Sequence, residues 1–186
     1  MTERIKFAKD WFNRGDFLLN KYSDTKENEL LFESYIYLWI SLTIAAKEYS
    51  GNNIKKFTNQ NFEKSTDREE ILFWANSTYE LLFQKLENHR EDLNELSERK
   101  GNIMGTPIMD TKGGNVEYYQ SFADFFQGNI RNVNREKLVC TMIIILNQIR
   151  NNLFHGGKSF SMDSDIQILR LTCPILRDVA QLCIKN

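Results

Sequence analysis

The sequence contains few of the residues that break helices, bind metals or form disulfides. It has two prolines, two histidines and three cysteines among 186 residues. Cys140, Cys173 and Cys183 are odd in number and include no Cys-x-x-Cys pair, which argues against a disulfide framework or a zinc cluster. We expect them to be small buried side chains in a reducing compartment. His89 and His155 are far apart and no acidic cluster brackets either one, so we predict no metal site and no cofactor.

Long apolar runs are also missing. No segment approaches the roughly 18 consecutive apolar residues of a membrane span, and residues 1–10 carry charges throughout, unlike a signal peptide. The formal net charge is −1, so no overall positive field attracts a polyanion. These features predict a cytoplasmic protein without a membrane partner.

One stretch is nevertheless locally basic. Between residues 131 and 158, cationic side chains outnumber carboxylates: Arg131, Arg135, Lys137, Arg150 and Lys158 against Glu136. Such a patch is the candidate for binding a polyanion, although a solvated helix face gives the same run of charges. Residues 87–98, by contrast, are acidic.

The spacing of apolar residues predicts an all-α protein, because it follows the helical period with few alternating stretches. A chain of this length, 41% hydrophobic, favours one compact domain over residues 1–186. We expect an antiparallel bundle of four to five main helices, over about residues 2–22, 28–49, 66–86, 134–153 and 164–184. Gly15 should weaken the first helix in its middle.

Local signals place the helix ends. Ser50-Gly51-Asn52 should end the second helix, and Thr66 and Glu69 have the spacing of a capping box at the start of the third. That helix is expected to continue as a polar extension towards residue 99. Asn134 is a suitable N-cap for the fourth helix, with Gly156 as its left-handed terminator. In the last helix, Pro174 removes one backbone bond and should bend or divide the helix.

The segment of about residues 101–133 is predicted to be an irregular insertion with a short helix. Lys112 is not followed by Ser or Thr and the glycine spacing of a P-loop is absent, so a phosphate loop is rejected. Residues 116–126 should form the short helix, and their aromatic rings should pack on the bundle, although such rings can also stack on bases: Tyr118, Tyr119, Phe122, Phe125 and Phe126.

The end of the apolar fourth helix carries the candidate chemistry. It reads Arg150-Asn151-Asn152-Leu153-Phe154-His155 and continues with two glycines and Lys158. Cations are also favoured at a helix C-terminus for structural reasons alone. Arg150 and His155 lie about 140° apart around an ideal helix, so they converge only if the helix unwinds near Phe154. No Ser-His-Asp or Cys-His arrangement is found, and His89 is expected on a solvated helix face.

These residues resemble the Arg-x4-6-His signature of the HEPN superfamily. The likeness comprises Arg150, the polar Asn151 directly after it, His155, the Gly-Gly stop and an aromatic-rich second helix containing Tyr35 and Trp39. It covers most of the chain, with the segment of about residues 101–133 as an insertion.

The resemblance implies a homodimeric, metal-independent endoribonuclease whose two motifs face a shared cleft, as in many defence, toxin-antitoxin or RNA-processing proteins. His155 would then be the general acid or base, Arg150 would hold the scissile phosphate and Asn151 would orient them. Lys158 would add a substrate contact. An imidazole that titrates near neutral pH and a permanently charged guanidinium suit these roles.

Other implications of the resemblance stay open. Some relatives paired with a nucleotidyltransferase antitoxin carry a Tyr where this chain has Gly157, so that mode of neutralisation is not expected, although an antitoxin or regulatory protein remains a possible partner. A polar residue of the second helix often lies near the cleft, and Ser41, Thr43 or Glu33 could fill this place. The alternative function is a non-catalytic HEPN-like module that binds a nucleotide or a protein.

Overall fold

The described part of the chain is almost entirely helical. The computed structural model describes residues 2–57, 66–98, 102–103, 106–107, 122–155 and 163–185, and of residues 52–57, 102–103, 106–107, 155 and 164 it describes the backbone. The helices are α1 (Glu3–Thr25), α2 (Asn28–Phe57), α3 (Asp67–Ser77), α4 (Tyr79–Glu87), α5 (Arg90–Ser97), α6 (122–126), α7 (Arg135–His155) and α8 (Asp163–Lys185). Two antiparallel strands of two residues each, β1 (Asn102–Ile103) and β2 (Thr106–Pro107), lie in the predicted insertion. The predicted all-α class is confirmed.

The first two helices pack closely because small residues let their backbones approach. A Cβ added to Gly15 would lie 2.8 Å from Cγ of Leu38, so the glycine that weakens α1 locally is required by its contact with α2. Two buried hydroxyls of α2 donate to carbonyls of α1: Ser34 to Gly15 and Ser41 to Ala8, both at 2.8 Å. These bonds give the hydroxyls partners in a contact that excludes water.

The second helix is longer than predicted. It continues through Gly51 to Phe57, because a single helical glycine costs only about 1 kcal/mol and no proline follows. Ser50 is buried and donates to the carbonyl of Glu70 at 3.4 Å, which ties this part of α2 to α3. The expected end at Ser50-Gly51-Asn52 is therefore wrong.

The third predicted helix is divided into three. Its capping box is confirmed, since the Thr66 amide donates to Glu69 at 2.8 Å and the Glu69 amide donates to the Thr66 hydroxyl at 3.3 Å. The helix is interrupted at Thr78, whose hydroxyl donates to the Trp74 carbonyl at 2.9 Å. It is interrupted again at residues 88–89. The buried residues of α3, α4 and α5 all join one core.

The last two long helices follow their predicted starts. The Asn134 side chain accepts a bond of 3.1 Å from the Lys137 amide, which confirms the N-cap of α7. Pro174 lies inside α8 without dividing it. Gly156, the predicted terminator, lies outside the described residues.

The described helices share one hydrophobic core. α8 packs mainly on α2 and α1, whereas α7 packs mainly on α3 and α4. The largest fully buried side chains include Trp74, Tyr35 and Phe122. Phe125 and Phe126 are also buried, as predicted, while Tyr118 and Tyr119 fall outside the described residues.

Helix α2 contains the candidate membrane span found among the described residues. Its segment Asn28–Gly51 is long and apolar enough to cross a bilayer by length and composition, with a mean hydropathy of 1.2 in its most apolar window. Of that window, 61% is buried inside the bundle. A core helix of a soluble protein has these same properties, so one such helix is weak evidence for a membrane span.

Candidate functional site

The candidate site lies on the second half of α7. This half is fixed to α2 by Tyr35, which is fully buried and whose hydroxyl donates to the carbonyl of Leu146 at 2.7 Å. In an α-helix that carbonyl also accepts the amide of the residue four positions later, which here is Arg150. Burial raises the pKa of Tyr35 well above its usual value, so the phenol stays protonated and remains a donor. Tyr35 thus positions the turn that carries Arg150.

Arg150 is half-buried and is held by its own helix. Its Nη1 donates to Oδ1 of Asn151 at 3.0 Å, and its Cζ lies 4.7 Å from the centroid of the Phe154 ring. Its Nε is buried and has no hydrogen-bond partner among the described residues. A buried N–H without a partner costs free energy, so the surroundings of this guanidinium do not satisfy all its donors within the described residues.

Two neighbours of Arg150 were not predicted to belong to the site. Phe154 lies one turn after Arg150 and is 52% exposed; the four-residue spacing is the signal that could have identified this contact. Asn152 is buried and accepts a bond of 3.0 Å from Nε2 of Gln148. The polar character of α7 near its end therefore includes an inward-facing amide pair beside Arg150.

The structure describes the other predicted site residues only in part. His155 is the last residue of α7, and the structure describes its backbone but not its side chain. Gly157 and Lys158 lie outside the described residues. The backbone is helical as far as His155, and the Gly-Gly pair at which the helix could unwind lies outside the described residues. On a continuous helix Arg150 and His155 lie about 140° apart. Their convergence thus remains a prediction.

The polar candidates of α2 are used elsewhere or exposed. Ser41 donates to α1, and Thr43 donates at 2.9 Å to the Trp39 carbonyl in its own helix. Glu33 is exposed. Near Arg150, α2 bonds to α7 through Tyr35, which the sequence indicated only as part of an aromatic-rich helix.

His89 is not on a solvated face, contrary to expectation. Its side chain is 12% exposed and its Nε2 lies 3.2 Å from Oδ2 of Asp178 on α8, while Nδ1 lies 3.6 Å from Oδ2 of Asp92. The hydrogen bond from His89, together with nearby Arg177, holds the pKa of Asp178 below its usual value. This cluster joins the break between α4 and α5 to α8. No group of three or more potential metal ligands is found in the part of the chain that the structure describes.

The predicted basic patch is not one surface. The rise of 1.5 Å per residue separates Arg135 from Arg150 by about 22 Å along α7. Arg135 pairs with Glu80 at 2.9 Å, and Arg131 precedes the helix. Sequence proximity therefore overstated how far these charges converge.

The three thiols have raised pKa values and are poor nucleophiles. Cys173 and Cys183 are buried and Cys140 is partly buried, and burial raises the pKa of each thiol. The structure thus agrees with a packing role for Cys173 and Cys183.

Comparison of this chain with protein-family models, with curated proteins and with solved structures gives no match in any of the three.

Proposed function

We propose that this protein is a metal-independent endoribonuclease that acts as a homodimer, with Arg150 bound to the scissile phosphate. The observation that carries the proposal is the state of the Arg150 guanidinium. It is oriented by Asn151, stacked on Phe154 and has a buried Nε without a partner among the described residues. A guanidinium held in this way presents its remaining N–H groups as a fork that matches phosphate oxygens.

The proposed reaction uses the ribose as its own nucleophile. The 2′-oxygen attacks phosphorus while a general base removes its proton, and the bond to the 5′-oxygen breaks while a general acid protonates that leaving group. His155 supplies one of these functions and Arg150 stabilises the charge that develops on the phosphate. The products are a 2′,3′-cyclic phosphate and a 5′-hydroxyl, and Lys158 adds a contact to the substrate.

A homodimer supplies the second imidazole. One chain contributes a single His to the motif, and α7 is continuous through Phe154, so its backbone does not turn His155 towards Arg150. A two-fold axis beside the ends of α7 would bring the motif of a second copy to the same phosphate. The resemblance to HEPN proteins supports this arrangement, a cytoplasmic location, a defence or toxin-antitoxin role and control by an antitoxin or regulatory protein.

A second candidate is a non-catalytic HEPN-like module that binds a nucleotide or a protein. The observation in its favour is that the two contacts of Arg150 described above, with Asn151 and Phe154, lie within its own helix. Such contacts also serve a helix end that has no catalytic role.

The test compares RNA cleavage by the wild-type protein with cleavage by Arg150→Ala and His155→Ala, in EDTA. Arg14→Ala is the matched control, because Arg14 is exposed on α1 and distant in sequence from the motif. We expect wild type and control to release 2′,3′-cyclic phosphate ends and both motif variants to lose at least about a hundredfold in rate. Equal cleavage by all four folded proteins would reject the proposal, and binding without turnover would favour the non-catalytic module.

A further inference from the structure

A concave site lies at the other end of α7 from Arg150. It is a partly open groove of about 520 Å³ between the end of α4, the start of α5, α6 and the turn before α7. Three arginines line it, Arg90, Arg131 and Arg135, with one carboxylate, Glu87. The volume falls in the range of small-molecule sites, about 300–1,000 Å³. Neither the proposed nuclease residues nor the described core explains this concentration of guanidinium groups.

Two of these arginines are fixed against an aromatic pair. Cζ of Arg90 lies 4.8 Å from the ring centroid of Phe125, and Cζ of Arg135 lies 4.8 Å from the centroid of Phe83. The two rings are themselves 5.9 Å apart. Stacking restricts the guanidinium groups to a few orientations, so part of the entropy cost of ordering them for a ligand is met before binding.

The fixed arginines retain unused donors. Arg90 uses Nε and Nη2 for Glu87, at 3.2 and 2.9 Å, and Arg135 uses Nη1 for Glu80 at 2.9 Å. A guanidinium has five N–H donors, so these bonds leave some of them free. The nitrogens that take no part in these bonds are Nη1 of Arg90 and Nε and Nη2 of Arg135.

Arg131 provides the charge that is not balanced. Glu87 and Glu80 each neutralise one of the fixed arginines. Arg131 is exposed and has no ion pair or hydrogen bond within the described ranges. An anion that enters the groove therefore meets one surplus positive charge and the unused donors of two positioned guanidinium groups.

The rest of the lining is suited to a ligand that is not purely ionic. Ile130 and Val133 line the groove and are only partly buried. Gly128 adopts φ +78, and a Cβ at this position would meet nothing within 4 Å, so the turn leaves open space beside the arginines. A small organic body could contact the apolar side chains while its anionic end meets the guanidinium groups.

We propose that this groove binds the phosphate group of an organic phosphate, with Arg131 as the main contact and Arg90 and Arg135 as positioned donors. The guanidinium fork matches the oxygens of a phosphate monoester, and the apolar side accommodates the attached organic group. Two sources share this chemistry, a free nucleotide and the 5′-phosphorylated end of an RNA strand. The proposal does not depend on the ribonuclease reaction, because the groove and Arg150 lie at opposite ends of α7.

The test is calorimetric titration of the full chain carrying His155→Ala, which removes cleavage from the measurement. Adenosine 5′-monophosphate is the first probe and adenosine its matched control. We expect a Kd for the monophosphate of about 10 µM to 1 mM, the range of −4 to −7 kcal/mol, and binding of adenosine at least about tenfold weaker. Arg131→Ala should raise the Kd about tenfold, the effect of one charge-assisted bond, while Arg14→Ala should leave it unchanged.

The source of the phosphate is determined in the same experiment by two RNA oligonucleotides that differ only in a 5′-phosphate or a 5′-hydroxyl. Tighter binding of the phosphorylated strand than of both the hydroxyl strand and the monophosphate, lost in Arg131→Ala, identifies an RNA end. Equal binding of the two strands identifies a free nucleotide. Equal affinity for adenosine and its monophosphate, no binding of any phosphate probe, or an unaltered Kd in Arg131→Ala overturns the proposal. Because Arg131 is exposed and makes no described bond, its variant should fold normally, which circular dichroism checks.

Discussion

The hydroxyl of Tyr35 donates a hydrogen bond of 2.7 Å to the carbonyl of Leu146, across residues that are 111 positions apart in the sequence. The bond links the first third of α2 to the helical turn that precedes Arg150. It explains why a polar group can be fully buried at this place, because the phenol has an acceptor. The orientation of the candidate site therefore depends on a core contact and not only on the helix that carries it.

Replacing Tyr35 by Phe should test this link. The ring remains and packing is retained, so the expected loss is that of one buried hydrogen bond, about 1–2 kcal/mol of unfolding free energy. Tyr37→Phe is the matched control, since Tyr37 is partly buried, stacks on Trp11 and makes no hydroxyl hydrogen bond within the described residues. Urea titrations of both variants measure the difference, and a Tyr35→Phe variant as stable as its control would contradict this account.

Alanine substitutions at two helical glycines should have opposite effects. At Gly15 a Cβ would lie 2.8 Å from Cγ and 3.1 Å from the backbone nitrogen of Leu38, so the gain in helix propensity is outweighed by overpacking, with a net loss of about 1–3 kcal/mol. At Gly51 a Cβ would meet nothing within 4 Å, and stability should rise by about 0.5–1 kcal/mol. Thermal unfolding of the two variants checks both signs, and a stabilising Gly15→Ala would show that α1 and α2 pack less closely.

The contact between His89 and Asp178 should make stability depend on pH. The folded-state pKa of Asp178 is lowered, so its stabilisation is complete above the unfolded value of about 3.9 and is lost as the pH falls through the lower folded value. At neutral pH Asp178→Asn should cost about 1 kcal/mol. Denaturant titrations at several pH values should show the gap between variant and wild type closing below about pH 4, whereas a gap independent of pH would rule out the ionised carboxylate as its source.

Arginine and lysine should not be equivalent at position 150. Lysine keeps the charge but lacks the fork and the Nε that is buried without a partner in the described structure. If Arg150 binds the scissile phosphate, Arg150→Lys should reduce RNA cleavage about ten- to hundredfold, the effect of about 1.5–3 kcal/mol lost with a charge-assisted bond. Wild-type cleavage by the lysine variant would mean that charge alone suffices.

Thiol modification should report the burial of the cysteines. Because the pKa of each thiol is raised and the thiolate is the reactive form, a disulfide reagent at about pH 8 should react slowly with Cys140 and not measurably with Cys173 or Cys183 in the native state. All three should react after denaturation. Rapid native-state reaction of more than one thiol would indicate that the core around α8 opens.

The sequence predicted much of the local structure, because local rules depend on residues that are near one another in the chain. The capping box at Thr66 and Glu69 and the N-cap at Asn134 were both identified from spacing alone. The end of α2 was not, since one glycine costs too little to stop a helix that is held by contacts with α3. The division into α3, α4 and α5 was also missed, because no proline or glycine marks the breaks.

The sequence likewise predicted the local part of the candidate site and missed its long-range contacts. Arg150, Asn151, His155 and Lys158 were selected from the motif, and the pairing of Arg150 with Asn151 is a neighbour contact that the motif already contains. Tyr35 as a support for the turn before Arg150, Asp178 as the partner of His89, and the groove around Arg131 involve residues distant in sequence. Pattern and spacing contain no information on such pairs.

The sequence by itself determined the helical class, the caps and the residues available for phosphate chemistry, because periodicity and side-chain type act over one or two helical turns. Only the tertiary structure decided that Gly15 is a packing requirement, that His89 lies between two carboxylates and that the basic residues separate into two groups near opposite ends of α7. The physical reason is that close packing and low local dielectric arise where elements meet. The fold of the whole chain determines which helices are in contact.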